Sequence, residues 1–259
     1  MSRSNPDVKL ESPCTRYFEW NSDASEFKYY DKLTKKNVSV PLPFQFIVLD
    51  QLITIGGFDD SSNSRFWSNE IHKKSFKTGV LKVRNGSGPV CSGIYNEIKN
   101  SAEGMKYAES VYVAYLEDGK LKIGNIKMIG SSLSAWINFV SGEKDDKGKK
   151  ISEPHNPEEG AIMVSSFNTG KKGKVSFTSP IFEQKAIKPE TNEKVKDLDR
   201  ELQAYLVKYF AKNNTAEEVI PTEEEVDATF EDASQLSAKE MVMSKQAAKK
   251  SEVEDDLPF

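Results

Sequence analysis

Cysteine and histidine are scarce in this chain of 259 residues, with two of each. Cys14 and Cys91 stand far apart with no Cys-x-x-Cys pairing, which argues against a disulfide framework and for two reduced, small apolar side chains. A structural zinc site needs about four Cys or His ligands. Here Cys14, Cys91, His72 and His155 are scattered, so no metal and no cofactor is expected. No apolar run approaches the length that spans a bilayer, and Met1 to Glu11 is polar with no signal-peptide core, so the expected location is cytoplasmic and no membrane partner is expected. The spacings Gly-x-Ser-x-Gly, His-Glu-x-x-His and Gly-x-Gly-x-x-Gly do not occur. Gly142 to Lys150 resembles a phosphate loop, but its glycines stand one residue too far apart and Lys150 replaces the hydroxyl residue. An enzyme is therefore not expected.

What is present is divided unevenly. Thr215 to Phe259 holds thirteen acidic residues against four lysines, a net −9. The whole chain is −4, so residues 1–214 carry +5. A mildly basic body is followed by an acidic arm, and the arm hides the sign of the body from any whole-chain sum.

The body reads as strands. Thr15–Trp20 and Glu26–Leu33 are aromatic-rich runs separated from the next by a basic loop, Thr34 to Asn37. Val38, Val40, Leu42, Phe44, Phe46 and Val48 share one parity, as one face of a long strand does. Pro41 and Pro43 put its start at a sheet edge or bulge, and Gly56-Gly57 bends or ends it. Lys74–Arg84 reads as a strand closed by Asn85-Gly86, and Gly93 to Ala102 as a short helix. Tyr107–Leu116 and Lys120–Ile129 form the clearest hairpin, with Asp118-Gly119 supplying the positive-φ turn. Leu133, Trp136, Ile137 and Val140 have helical spacing. After a polar loop, Gly142 to Gly160, a second hairpin joins Ala161–Asn168 to Lys174–Ile187. Pro189 to Lys212 predicts a helix with Leu198, Leu202, Tyr205, Leu206 and Tyr209 on its docking face.

The expected organisation is a flexible leader (1–12), a body (13–213), a disordered linker (214–250) and an acidic tip (251–259). The expected fold class is mainly β. Among β architectures an OB-fold-like barrel with an added hairpin and helices fits best, because such a barrel binds strands across an open face. That choice leans on function, since periodicity does not separate it from other β folds.

Gripping a nucleic-acid strand takes cations for the phosphates and aromatic faces for the bases. Aromatic residues are 10% of the chain, and many adjoin lysine or arginine. The candidates are Arg16, Tyr17 and Trp20, then Lys28 and Tyr29, Lys35 and Lys36, and Arg65, Phe66 and Trp67. Lys73, Lys74, Lys77, Lys120, Lys122, Lys171 and Lys172 complete the set, the last two in a Gly-Lys-Lys-Gly-Lys turn. In strands, aromatic residues are more often core than platform. Phe44, Phe46, Val48 and Trp136 are assigned to the core on that ground. Tyr17, Trp20, Tyr29, Phe66 and Trp67, flanked by polar or charged residues, are expected at the surface.

The most specific signal is Glu252-Val253-Glu254-Asp255-Asp256-Leu257-Pro258-Phe259. An aromatic ring beside a free carboxylate is a compact ligand for an apolar pocket with a cation at its rim, and Pro258 stiffens it. This stretch resembles the acidic tip of bacterial single-stranded-DNA-binding proteins, several aspartates followed by Ile or Leu and then Pro-Phe. The resemblance implies that Asp255, Asp256, Leu257, Pro258 and Phe259 dock replication and recombination proteins such as a polymerase, helicase or primase. The larger β-body with an acidic tail looks more like the replication proteins of tailed phages, which would place it in the host cytoplasm. The resemblance implies a protein that binds and protects single-stranded DNA in replication, recombination and repair. A strand-annealing recombination protein and a protein-interaction adaptor without DNA affinity are the alternatives.

Overall fold

A computed structural model describes residues 10–143 and 149–214. The expected leader up to residue 9, the linker from residue 215 and the acidic tip lie outside the described residues, as does the middle of the Gly142–Gly160 loop. The described chain is mainly β and is organised around one large sheet.

Three strands open the chain: β1 (Arg16–Asn21), β2 (Glu26–Asp31) and β3 (Lys36–Val40). The expected single strand from Val38 is interrupted here. Leu42–Pro43 is a cis peptide, and the chain restarts as the 16-residue β4 (Phe44–Asp59). The prolines do mark an edge, since β3 is the last strand of the sheet. Short strands β5 (Ser64–Arg65), β6 (Trp67–Ser68) and β7 (Ile71–His72) follow. The expected strand from Lys74 is instead a 3-10 turn at Lys73–Ser75, and pairing starts only at β8 (Leu81–Asn85). The run of Lys73, Lys74 and Lys77 stays at the surface, and the apolar alternation of Leu81 and Val83 makes the strand. Next come β9 (Gly88–Gly93) and a single helical turn, α1 (Tyr95–Ile98).

The central hairpin is as the sequence predicts: β10 (Met105–Glu117), a turn with Asp118 at φ 52° and Gly119 at φ 73°, and β11 (Lys120–Ile129). Then follow α2 (Ser131–Ser141), the second hairpin β12 (Ala161–Lys172) and β13 (Val175–Lys185), and α3 (Pro189–Asn214).

The large sheet runs β13-β12-β4-β10-β11-β1-β2-β3, with β5 and β7 added on β4; β6, β8 and β9 form a small second sheet. All its pairings are antiparallel except β1 on β11. Among the described residues no ladder joins β13 to β3, so the path does not close. The sheet instead curls over a core in which Phe18, Phe27, Phe46, Val111, Ile126, Trp136 and Phe182 meet. One crossing is made by side chains. Thr178 of β13 exchanges hydrogen bonds with Ser22 beyond β1, and its carbonyl accepts from Trp20 Nε1 at 3.1 Å and Ser131 Oγ at 2.7 Å.

The middle of β10 is buried almost without a break, because both faces of the sheet are covered there. Val111, Val113 and Tyr115 face the curled core. Tyr112 and Ala114 face α3, whose Val195, Leu202 and Leu206 pack with Leu52, Ile123 and Ile47. Backbones come closest where β4 leaves the sheet. A Cβ on Gly57 (φ 114°) would lie 2.0 Å from the Gly104 carbonyl oxygen, so neither position accepts a side chain.

Candidate nucleic-acid interface

The sheet register decides which of the predicted residues can meet. Arg16 and Tyr29 lie on the face that carries Phe18, at the end of the core where β1 starts. The Arg16 guanidinium sits over the Tyr29 ring at 4.6 Å. Its Nε donates to Glu117 at 3.0 Å, and its Nη1 lies 3.9 Å from Asp31. Lys122 holds the other oxygen of Glu117. Partial burial works to raise the Glu117 carboxyl, but the hydrogen bonds from Lys122 and Arg16 outweigh it and hold the group below the ordinary glutamate range. Beside this cluster a cleft of about 120 Å³ opens between Cys14–Tyr17 and the β2–β3 turn. The turn exposes Lys35, Lys36 and Leu33, the last 92% exposed.

The opposite face of β1 carries a second charged group. Arg65 Nη1 lies 2.8 Å from Glu19, which is opposite Lys127 on β11 and Lys28 on β2. Burial opposes ionisation of Glu19, yet Arg65, Lys28 and Lys127 bring its carboxyl below the ordinary range. Burial pushes the Lys127 ammonium down to about 8, with Glu19 and Glu70 resisting. Glu70 goes the other way, raised by burial against hydrogen bonds from Ser110 and Tyr112. Such groups are engaged with each other, as buried charges must be.

Two surface expectations are corrected. Trp20 is buried, its ring edge-on to Phe27 at 5.1 Å and its indole N–H spent on Thr178. Phe66 is buried against the small sheet and the Gly104 approach. Trp20 follows strand alternation, with Glu19 beside it on the other face, whereas Phe66 sits between β5 and β6 and packs in the core. Lys73 is engaged too, 2.7 Å from the buried Glu109 and 3.0 Å from Gln51. Cys14 and Cys91 are free thiols, and burial pushes Cys14 up to about 12.

Several predicted cations that hold no carboxylate among the described residues are at turns or strand ends. Lys74 lies in the 3-10 turn and Lys77 just beyond it, Lys120 opens β11, and Lys171 and Lys172 crown the β12–β13 hairpin with Lys174. This second hairpin extends beyond its neighbour in the sheet. β12 pairs with β4 only from Ala161 to Val164, and its ladder with β13 continues to Lys172 and Val175. Thr178 is seated on Ser22, and beyond it the two strands pair only with each other. No Asp or Glu occurs from Ser165 to Ile181. None of the three tip lysines holds an ion pair or side-chain hydrogen bond. Phe167 is 44% exposed and Val175 40%. The Phe177 ring lies across Gly170, where a Cβ would come within 2.5 Å of it.

The structure therefore splits the predicted set into engaged residues (Arg16, Arg65, Lys73, Lys122), buried ones (Trp20, Phe66) and free ones at turns. Lys28 and Tyr29 stand half-buried beside the engaged groups, and Tyr17 and Trp67 are partly open. The predicted tip residues Asp255 to Phe259 lie outside the described residues. Sequence reasoning named Lys174 only as the end of the Gly-Lys-Lys-Gly-Lys turn and missed Phe167 and Phe177. The signal was available, since an acid-free stretch of 17 residues with three lysines stands out in a chain that is 29% charged.

No family model, no curated protein and no solved structure matches this chain.

Proposed function

We propose that this protein binds single-stranded DNA without catalysis, holding the backbone by free cations and the bases by exposed rings. The observation that carries the reading is the β12–β13 hairpin: unpartnered Lys171, Lys172 and Lys174, an exposed Phe167, and no acidic residue from Ser165 to Ile181. A ligand that alternates phosphate and base suits that mixture, since the lysines release counterions and the ring stacks. The β2–β3 turn, with Lys35 and Lys36, supplies a second group of free cations. On this reading the curled sheet is a partly open variant of the OB-type barrel. The segment Asp255 to Phe259 takes the role its resemblance implies, docking replication and recombination partners of the phage-type system. The acidic stretch from 215 onward is opposite in charge to the basic body and to the cationic surfaces that such a peptide would meet on its partners.

The test is fluorescence anisotropy of the full chain on oligo-dT, on duplex and on RNA, between about 50 and 200 mM salt. Single-strand binding that weakens steeply with salt supports the reading. Salt-insensitive or absent binding overturns it and favours the adaptor alternative. Substituting Leu257→Ala and Phe259→Ala should leave strand affinity intact and abolish capture of a cognate polymerase, helicase or primase.

A further inference from the structure

The small sheet presents donors that nothing in the described protein satisfies. Trp67 of β6 and Arg84 of β8 are direct cross-strand partners, so their side chains stand together on one face. The neighbouring pair, Ser68 and Val83, faces the body: Ser68 Oγ accepts from the Ile55 backbone N–H at 2.9 Å, and Val83 is in the core. Trp67 and Arg84 therefore lie on the other face of the small sheet, where both are half-buried.

Arginine elsewhere in the described chain holds a carboxylate. Arg16 holds Glu117, Arg65 holds Glu19 and Arg200 holds Asp197. Arg84 holds none. Its Nε and Nη1 are buried with no acceptor, and so is Trp67 Nε1. The remaining nitrogen, Nη2, is neither buried nor bonded. A half-buried guanidinium with no carboxylate beside it lacks a counter-charge, and an anion on its accessible Nη2 edge would supply one. A planar fork beside an indole fits one repeating unit of a nucleic-acid strand, the phosphate on the fork and the base on the ring.

We propose that Arg84 and Trp67 form a nucleotide subsite, Arg84 taking a backbone phosphate of single-stranded DNA through its Nη2 edge and Trp67 stacking the adjoining base. This rests on the single-strand reading above and adds a contact on the small sheet, away from the cationic hairpin.

The experiment uses the full chain and the variants Arg84→Met, Arg84→Lys and Trp67→Phe, with oligo-dT as the probe. Trp20 and Trp136 are buried, so Trp67 is the described tryptophan whose emission a stacked base can quench. Oligo-dT should quench the wild type, and Trp67→Phe should lose that quench and bind several-fold more weakly. Arg84→Met should weaken binding on the order of tenfold and flatten the salt slope by about one contact. Arg84→Lys should keep the slope and recover only part of the affinity. Because an unpaired guanidinium is removed, the melting temperature of DNA-free Arg84→Met should equal or exceed that of the wild type. Wild-type affinity and salt slope in Arg84→Met, with the quench intact in Trp67→Phe, would overturn the subsite and leave the single-strand reading standing. A lowered melting temperature with unchanged binding would also overturn it, by giving Arg84 a structural acceptor. Failure of the wild type itself to bind oligo-dT would sink the broader reading.

Discussion

The two long hairpins have the same strand geometry and treat charge in opposite ways. β10–β11 lies in the middle of the sheet, covered by the core on one face and α3 on the other, and the charges in its covered part are matched. Glu109 has Lys73, Glu117 has Arg16 and Lys122, and Lys127 lies between Glu19 and Glu70. β12–β13 leaves the sheet after Val164 and carries three lysines with no counter-charge. Inside a packed sheet an unmatched charge costs several kcal/mol, so the fold must supply a partner. Outside it, water supports the charge, and the absence of a local acid leaves the lysines available to an anionic ligand.

The sharpest break of this contrast removes packing, with the indole hydrogen bond to Gln51, and leaves the cations in place. Trp136 is fully buried against Phe139 and Phe182, so Trp136→Ala should cost about 3–5 kcal/mol in chemical denaturation while the strand affinity of the folded fraction stays constant. Neutralising Lys171, Lys172 and Lys174 to alanine should do the reverse. The salt slope of oligo-dT binding should fall by about 2, from roughly 0.7 per contact, with the melting temperature unmoved. An unchanged slope would mean that the hairpin does not touch phosphate. Phe167→Ala isolates stacking from charge, and should lose about 1–3 kcal/mol of strand binding at constant slope.

The smallest expected effect probes the matched region by pH. Lys127 is depressed from 10.5 to about 8 in the folded protein. Between those values the unfolded chain binds the proton and the folded one does not, so stability rises with pH across that window. The penalty is fully present below pH 8. Relative to Lys127→Met, the wild type should gain on the order of 1–2 kcal/mol between about pH 8 and 10. A flat difference would mean that the ammonium stays charged where it lies.

Much of the fold was legible because local chemistry and tertiary packing agree. Asp118-Gly119 can hardly be anything but a tight turn between two alternating runs, and the α3 face named from spacing includes the Leu202 and Leu206 that dock on the sheet. Lys74–Arg84 misled because its strand signal belongs only to Leu81–Asn85, and the preceding lysines are a solvated turn. The site was less legible. Trp20 and Trp67 both sit near charged residues, yet Trp20 points into the core and Trp67 out of it, a difference of strand parity at each position. Arg16 and Lys122 read as free cations because their partner Glu117 is about a hundred residues from the first and across a turn from the second.

By itself the amino-acid sequence determined the strand-rich character, the central turn, the docking helix and the separation of a basic body from an acidic segment. Each of these depends on residues near one another in the chain or on composition. Only the tertiary structure decided which cations remain free. A charge is neutralised by whatever the sheet register brings within about 4 Å, and register joins Arg16 to Glu117 and Arg65 to Glu19 while leaving Arg84 and the hairpin lysines without an anion.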